Sequence, residues 1–106
     1  MLPKIKDLIV SESFRKRPGM YLGENSISLL KAFLDGITYS IDTNGIDPKE
    51  DLDLEGFNDW VAQKYNYFES TAGWKNIILK ENKQDEEKSL MEFFKLYDQF
   101  VNEKSA

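Results

Sequence analysis

The chain has 106 residues, a net charge of −5, and neither cysteine nor histidine. A chain this short holds one domain around one core, and lacking cysteine it makes no disulfide and does no thiol chemistry. The missing histidines remove the commonest general base and the commonest metal ligand together, so any catalysis would have to run on carboxylates, lysines or tyrosines.

The apolar pattern is helical almost throughout. Ile5, Leu8 and Ile9 make a short stripe behind Pro3, a residue tolerated in a first helical turn, and Phe14 is placed to close that element onto the core. Pro18-Gly19 forces a turn, and the position before proline disfavours a continued helix at Arg17. Met20-Tyr21-Leu22 is expected to run extended up to Gly23, although three residues cannot make a sheet alone. Ser26 is a good N-cap for a helix with Ile27, Leu30, Phe33, Leu34, Ile37 and Ile41 at helical spacing, and Asn44-Gly45 is a strong stop. Gly36 inside that helix costs about 1 kcal/mol relative to alanine, which predicts close approach of another helix there.

Residues 46–53 read as an acidic loop or a single turn. Leu54, Phe57, Trp60, Val61 and Tyr65 mark the next helix, and residues 66–73 break it. Trp74, Ile77 and Ile78 resume the pattern to about Asn82. Asp85 then opens a last helix with Leu90, Phe93, Phe94, Tyr97, Phe100 and Val101 on one broad face. The expectation is an all-α, single-domain bundle of four to five helices over residues 1–106. Its core would hold Phe33, Phe57, Trp60, Trp74, Phe94, Tyr97 and Phe100, each buried ring contributing roughly 1.5–3 kcal/mol.

Charge is segregated along the chain. Residues 1–31 balance at +3, residues 32–59 at −7 and residues 60–106 at −1. So acidic a middle segment argues against nucleic-acid binding there and favours a cationic partner; a solvated loop that keeps the chain soluble is the plainer alternative. No apolar run approaches the length needed to cross a bilayer, and the N-terminus, where Asp7 precedes the short apolar run Leu8-Ile9-Val10, does not read as a signal peptide. The expected compartment is the cytoplasm, with no membrane partner.

The search for site chemistry returns little. The run from Asp47 to Glu55 superficially suggests calcium, but Leu52 stands where an EF-hand loop needs glycine and Asn58 where it needs glutamate. Without histidine or cysteine no nucleophile–base constellation can be built beyond a motif-less Ser–Lys pair. The expectation is therefore no enzyme, no metal and no cofactor. The segment from Tyr67 to Trp74 places aromatics in a polar break; Phe68 and Trp74 are expected to tuck under it, with Tyr67 the exposed member and a candidate interface anchor.

The stretch Arg15-Lys16-Arg17-Pro18-Gly19-Met20-Tyr21-Leu22-Gly23 resembles the opening of the ATPase domain of the DNA gyrase B subunit. The resemblance ends after nine residues. The helix that follows has no Glu-x-x-x-Asn spacing, no Asp-x-Gly-x-Gly occurs anywhere, and the six glycines are scattered instead of forming a phosphate cradle. A structural role fits better: Pro18-Gly19 turns the chain, Met20 and Leu22 fill the core, Tyr21 buries its ring with its hydroxyl partnered, and Arg15 or Arg17 reaches a carboxylate in a bidentate pair. Phosphate binding by Arg15-Lys16-Arg17 is the functional alternative.

The Arg-Pro-Gly-Met-Tyr-Leu-Gly of 17–23, the run from Ser26 to Gly36, Phe57 to Val61, Gly73 to Ile78, and Asp85 to Phe100 together cover most of the chain. In these segments it resembles small bacterial immunity-type proteins found beside toxin genes. The resemblance implies a protein that binds the catalytic domain of a toxin in the cytoplasm and blocks it. Toxins that cut RNA or DNA present cationic active sites, which an acidic patch complements and meets quickly. The contact residues expected for a 1:1 complex with such a basic domain are Asp42, Asp47, Glu50, Asp51, Asp53, Glu55 and Asp59, with Tyr67 as the aromatic anchor. A small helical adaptor or regulator without a toxin partner is the alternative.

Overall fold

A computed structural model describes the backbone of residues 9–43 and 56–105 and the side chains of 9–36 and 56–104. All regular structure among these residues is helical: α1 (Glu12–Lys16), α2 (Pro18–Leu22), α3 (Ile27–Thr43), α4 (Phe57–Lys64), α5 (Trp74–Glu81) and α6 (Glu86–Ser105). The bundle expected from the apolar spacing is thus present, with two further one-turn helices at its N-terminal end. Ile5 and Leu8, and Leu54 and the acidic run of 46–53, lie outside the described residues.

Local chemistry sets each start. The Phe14 N–H donates to Ser11 Oγ at 3.2 Å, capping α1. Arg17 leaves the helical region (φ −137°, ψ 62°), as a residue before proline does, and Pro18 then occupies the first turn of α2. Met20-Tyr21-Leu22 is therefore helical and not extended: proline could not continue α1, but its fixed φ suits the first turn of a new helix. Ser26 Oγ accepts from the Leu29 N–H at 3.2 Å to begin α3, and Asp85 Oδ1 accepts from the Lys88 N–H at 2.9 Å to begin α6.

The longest described helix, α6, is the spine against which α3, α4 and α5 pack; α5 also packs on α3 and α4. Phe57 sits at the centre, fully buried, with the rings of Trp60, Trp74, Phe93, Tyr97 and Phe100 at 5.1–6.4 Å, Trp60 stacked on it and the other four meeting it edge-on. Ile9, Phe14, Ile27, Leu30 and Leu34 complete the core from the N-terminal side. Phe33 and Trp60 lie half-buried against it.

Arg15 ties the N-terminal corner to the spine. Its two terminal nitrogens donate to the two oxygens of Asp98 at 2.8 Å each, its Nε donates to the Ile9 carbonyl at 2.8 Å, and its guanidinium lies 5.0 Å from the centre of the Phe94 ring. This is the bidentate pair expected of the basic run. Its hydrogen bonds, above all, hold the Asp98 carboxyl below the usual range, against a smaller opposing push from burial. A second tie joins the starts of α3 and α6: Glu86 accepts from Ser26 Oγ at 2.7 Å, from the Ser28 N–H at 2.9 Å and from Ser28 Oγ at 2.8 Å. Burial pushes the Glu86 carboxyl up, but these bonds and nearby Lys75 outweigh it and leave it below the ordinary range.

Three expectations fail here. Met20 is 75% exposed and Tyr21 48% exposed, so neither fills the core; the Tyr21 ring instead lies across Phe14 at 5.1 Å. The short helix α2 turns one face inward, where Pro18 and Leu22 sit, and sends residues 20 and 21 outward. Nor, among the described residues, does another helix approach Gly36, which is exposed with none of them within 4 Å of where a Cβ would stand.

Candidate protein-interaction surface

The segment between α4 and α5 is fixed by backbone chemistry. Asn66 takes a left-handed conformation (φ 62°) just past α4; its N–H donates to the Gln63 carbonyl at 3.1 Å and the Tyr67 N–H to the Ala62 carbonyl at 2.8 Å. This is the paired hydrogen bonding of a Schellman cap, which habitually folds the second residue past the cap onto the last turn of the helix. Tyr67 does so: it is half-buried against the core, with the Lys80 ammonium 5.7 Å from its ring centre. At the other end Gly73 adopts φ 85°, its N–H donates to the Ser70 carbonyl, and the Trp74 N–H donates to Asn58 Oδ1 at 2.8 Å. Ser70 Oγ donates to Asp59, and Asn76 reaches back to the Ala72 carbonyl.

Phe68 projects from this pinned loop with 104% relative exposure. The expectation for the loop aromatics is half reversed. Trp74 is buried as expected, but Phe68 is outside and Tyr67 is partly inside, because the cap geometry decides which of two adjacent aromatics turns inward. The signal was present in the sequence: asparagine suits the left-handed position at the end of a helix, and the residue after it is the one that packs back.

Of the acidic candidates, Asp59 is exposed in the first turn of α4 and bonded to Ser70, which brings it to the same loop as Tyr67 and Phe68. The α3 backbone includes position 42, but the side chain of Asp42 is not described, and Asp47, Glu50, Asp51, Asp53 and Glu55 lie outside the described residues. A cleft of about 630 Å³ opens between α3 and the start of α5, lined by Ser28, Lys31, Asp35, Asn58 and Lys75 among others. The Lys31 ammonium donates to both Asp35 oxygens at 2.6 Å, an i, i+4 pair on α3 at the edge of this cleft. Among the described residues no three carboxylates converge to hold a metal ion. At the C-cap of α4, Tyr65 donates to Glu92 at 3.3 Å; burial first, and then that carboxylate, push its phenol up to about 12.

The chain matches no protein-family profile, no curated protein and no solved structure. No helix among the described residues is long and apolar enough to cross a membrane.

Proposed function

We propose that this protein is a stoichiometric inhibitor of the immunity type, which binds a basic bacterial toxin domain, most simply a nuclease, and covers its active site. The observation that carries the reading is Phe68. A whole phenylalanine ring stands in solvent on a loop whose two ends are held by backbone hydrogen bonds, so the ring is presented in a fixed place at little entropic cost to a partner. Burying it would contribute roughly 1.5–3 kcal/mol, which the fold itself leaves unused.

The acidic segment supports the same reading. It carries the −7 balance of residues 32–59 and ends at Asp59, beside the loop that bears Phe68. A cationic cleft built for a nucleic-acid backbone would be drawn to it, and steering by opposite charge speeds the encounter. In this arrangement Phe68 replaces Tyr67 as the leading aromatic anchor, and Tyr67 stiffens the loop from behind. The alternative of an adaptor without a toxin partner draws on Met20, which is 75% exposed.

The test is binding to the C-terminal domain of the protein encoded immediately upstream. A 1:1 complex that abolishes that domain's toxicity is expected, weakened at low salt by the double reversal Asp51→Lys and Asp53→Lys. Unchanged affinity in the double variant would remove the acidic segment from the account.

A further inference from the structure

The nine-residue run from Arg15 to Gly23 is only partly used by the fold. Arg15 grips Asp98, Pro18 is buried, Leu22 packs on the core, and a side chain on Gly19 would come within 3.1 Å of Asn25 Oδ1. Lys16 pairs with Glu12 at 3.6 Å and Gly23 caps α2 at φ 91°, which leaves Arg17, Met20 and Tyr21, all exposed. Arginine, methionine and tyrosine are among the residue types that the centres of protein interfaces enrich.

The same molecule carries a surface that complements this corner. Phe68 is fully exposed and is flanked in sequence by exposed Glu69, with exposed Asp59 tied to the loop through Ser70. An aromatic ring suits the thioether of Met20 and the ring of Tyr21, and the two carboxylates suit the guanidinium of Arg17. The wider charges agree, since Arg17 belongs to the segment with a balance of +3 and Asp59 to the one with −7.

We propose that this protein self-associates head to tail, the Phe68 loop of one copy docking on the Arg17–Met20–Tyr21 corner of the next. The contact pairs unlike patches, so it closes a two-fold dimer where the same two copies make it twice and otherwise adds copies into short chains or a ring. The contact rests on three side chains from each copy, where a stable complex uses roughly 20–30 residues a side, so the association is transient and favoured by high concentration and low salt. The self-contact does not depend on the toxin reading. Where that reading also holds, both contacts use Phe68 and exclude one another.

The absence of native cysteine makes the test clean. Glu24→Cys and Thr71→Cys variants, at exposed positions beside the contact that leave Met20 and Phe68 intact, are mixed and oxidised with diamide, with Thr71→Cys plus Lys88→Cys as the mismatched pair, and the products are counted by mass spectrometry. The expected result is a severalfold excess of the Glu24–Thr71 cross-link over the Glu24–Glu24, Thr71–Thr71 and Thr71–Lys88 products, removed by adding Arg17→Glu to the Glu24→Cys chain. Sedimentation velocity of the unmodified protein should show mass rising with concentration at low salt, and Met20→Ser should abolish the rise without weakening capture of the upstream toxin domain. Equal cross-link yields in all pairings, or a monomer at every concentration in low salt, would overturn the proposal whether or not a toxin domain binds.

Discussion

Two phenylalanines eleven residues apart should answer truncation in opposite ways. Phe57 is fully buried and touches five other rings at centroid distances of 5.1–6.4 Å. Phe57→Ala would open a cavity walled by stiff aromatic groups that cannot collapse into it, so the loss belongs at the upper end of the usual range, about 4–5 kcal/mol. A domain of this size has roughly 5–15 kcal/mol to lose, and each kcal/mol moves Tm by about 4–8 °C, so the variant should be at or near the edge of folding. Phe68→Ala removes a ring that packs on nothing and should stay within about 0.5 kcal/mol of the parent. Urea unfolding followed by tryptophan fluorescence suits the pair, because Trp60 and Trp74 lie 6.0 and 5.7 Å from Phe57 and report its surroundings directly. A cost below about 2 kcal/mol at Phe57, or above about 1 kcal/mol at Phe68, would refute the packing on which the division between core and surface rests.

Other outcomes follow from the ties that hold the bundle. Arg15→Ala should cost about 1–2 kcal/mol, a modest figure because Asp98 is half-exposed and water screens the pair; Arg15→Lys should recover little, since an ammonium cannot grip both oxygens and the Ile9 carbonyl at once. Glu86 and Asp98 have folded-state pKa values below their unfolded ones, so on acidification the unfolded chain takes up their protons first. Their contribution is complete above the ordinary carboxylate range and is lost as pH falls through about 4 and below; urea midpoints measured against pH should fall there, and Glu86→Gln should flatten part of that limb. Gly36→Ala should stabilise by about 0.5–1 kcal/mol, since the site is helical, exposed and open, and thermal unfolding will show it as a raised Tm.

Much of the fold could be read from local chemistry. Ser26 and Asp85 announce α3 and α6 because a short oxygen-bearing side chain satisfies free helix N–H groups, and the apolar spacing of α4, α5 and α6 names the faces they bury. The errors lie where two local rules compete. Pro18 both breaks one helix and starts another, and periodicity over three residues cannot distinguish a strand from one helical turn. Gly36 carries a propensity cost that no packing among the described residues repays, so a cost to the helix is by itself a poor sign of a neighbour. Tyr67 and Phe68 look alike in composition, and only the left-handed Asn66 between them and α4 decides which one turns inward. Of the surface proposed to bind a partner, the sequence shows its charge and its aromatic content, while the identity of the exposed ring depends on that cap.

Isothermal titration of the C-terminal domain of the protein encoded upstream, the proposed toxin, with the parent chain and with Phe68→Ala addresses the proposed activity head-on. The prediction is one molecule bound per toxin domain, at least a tenfold loss of affinity in the variant, equivalent to about 1.4 kcal/mol or more, and unchanged stability of the variant itself. Equal affinity for both chains would take Phe68 out of the contact, and no binding of either would contradict the inhibitor reading altogether.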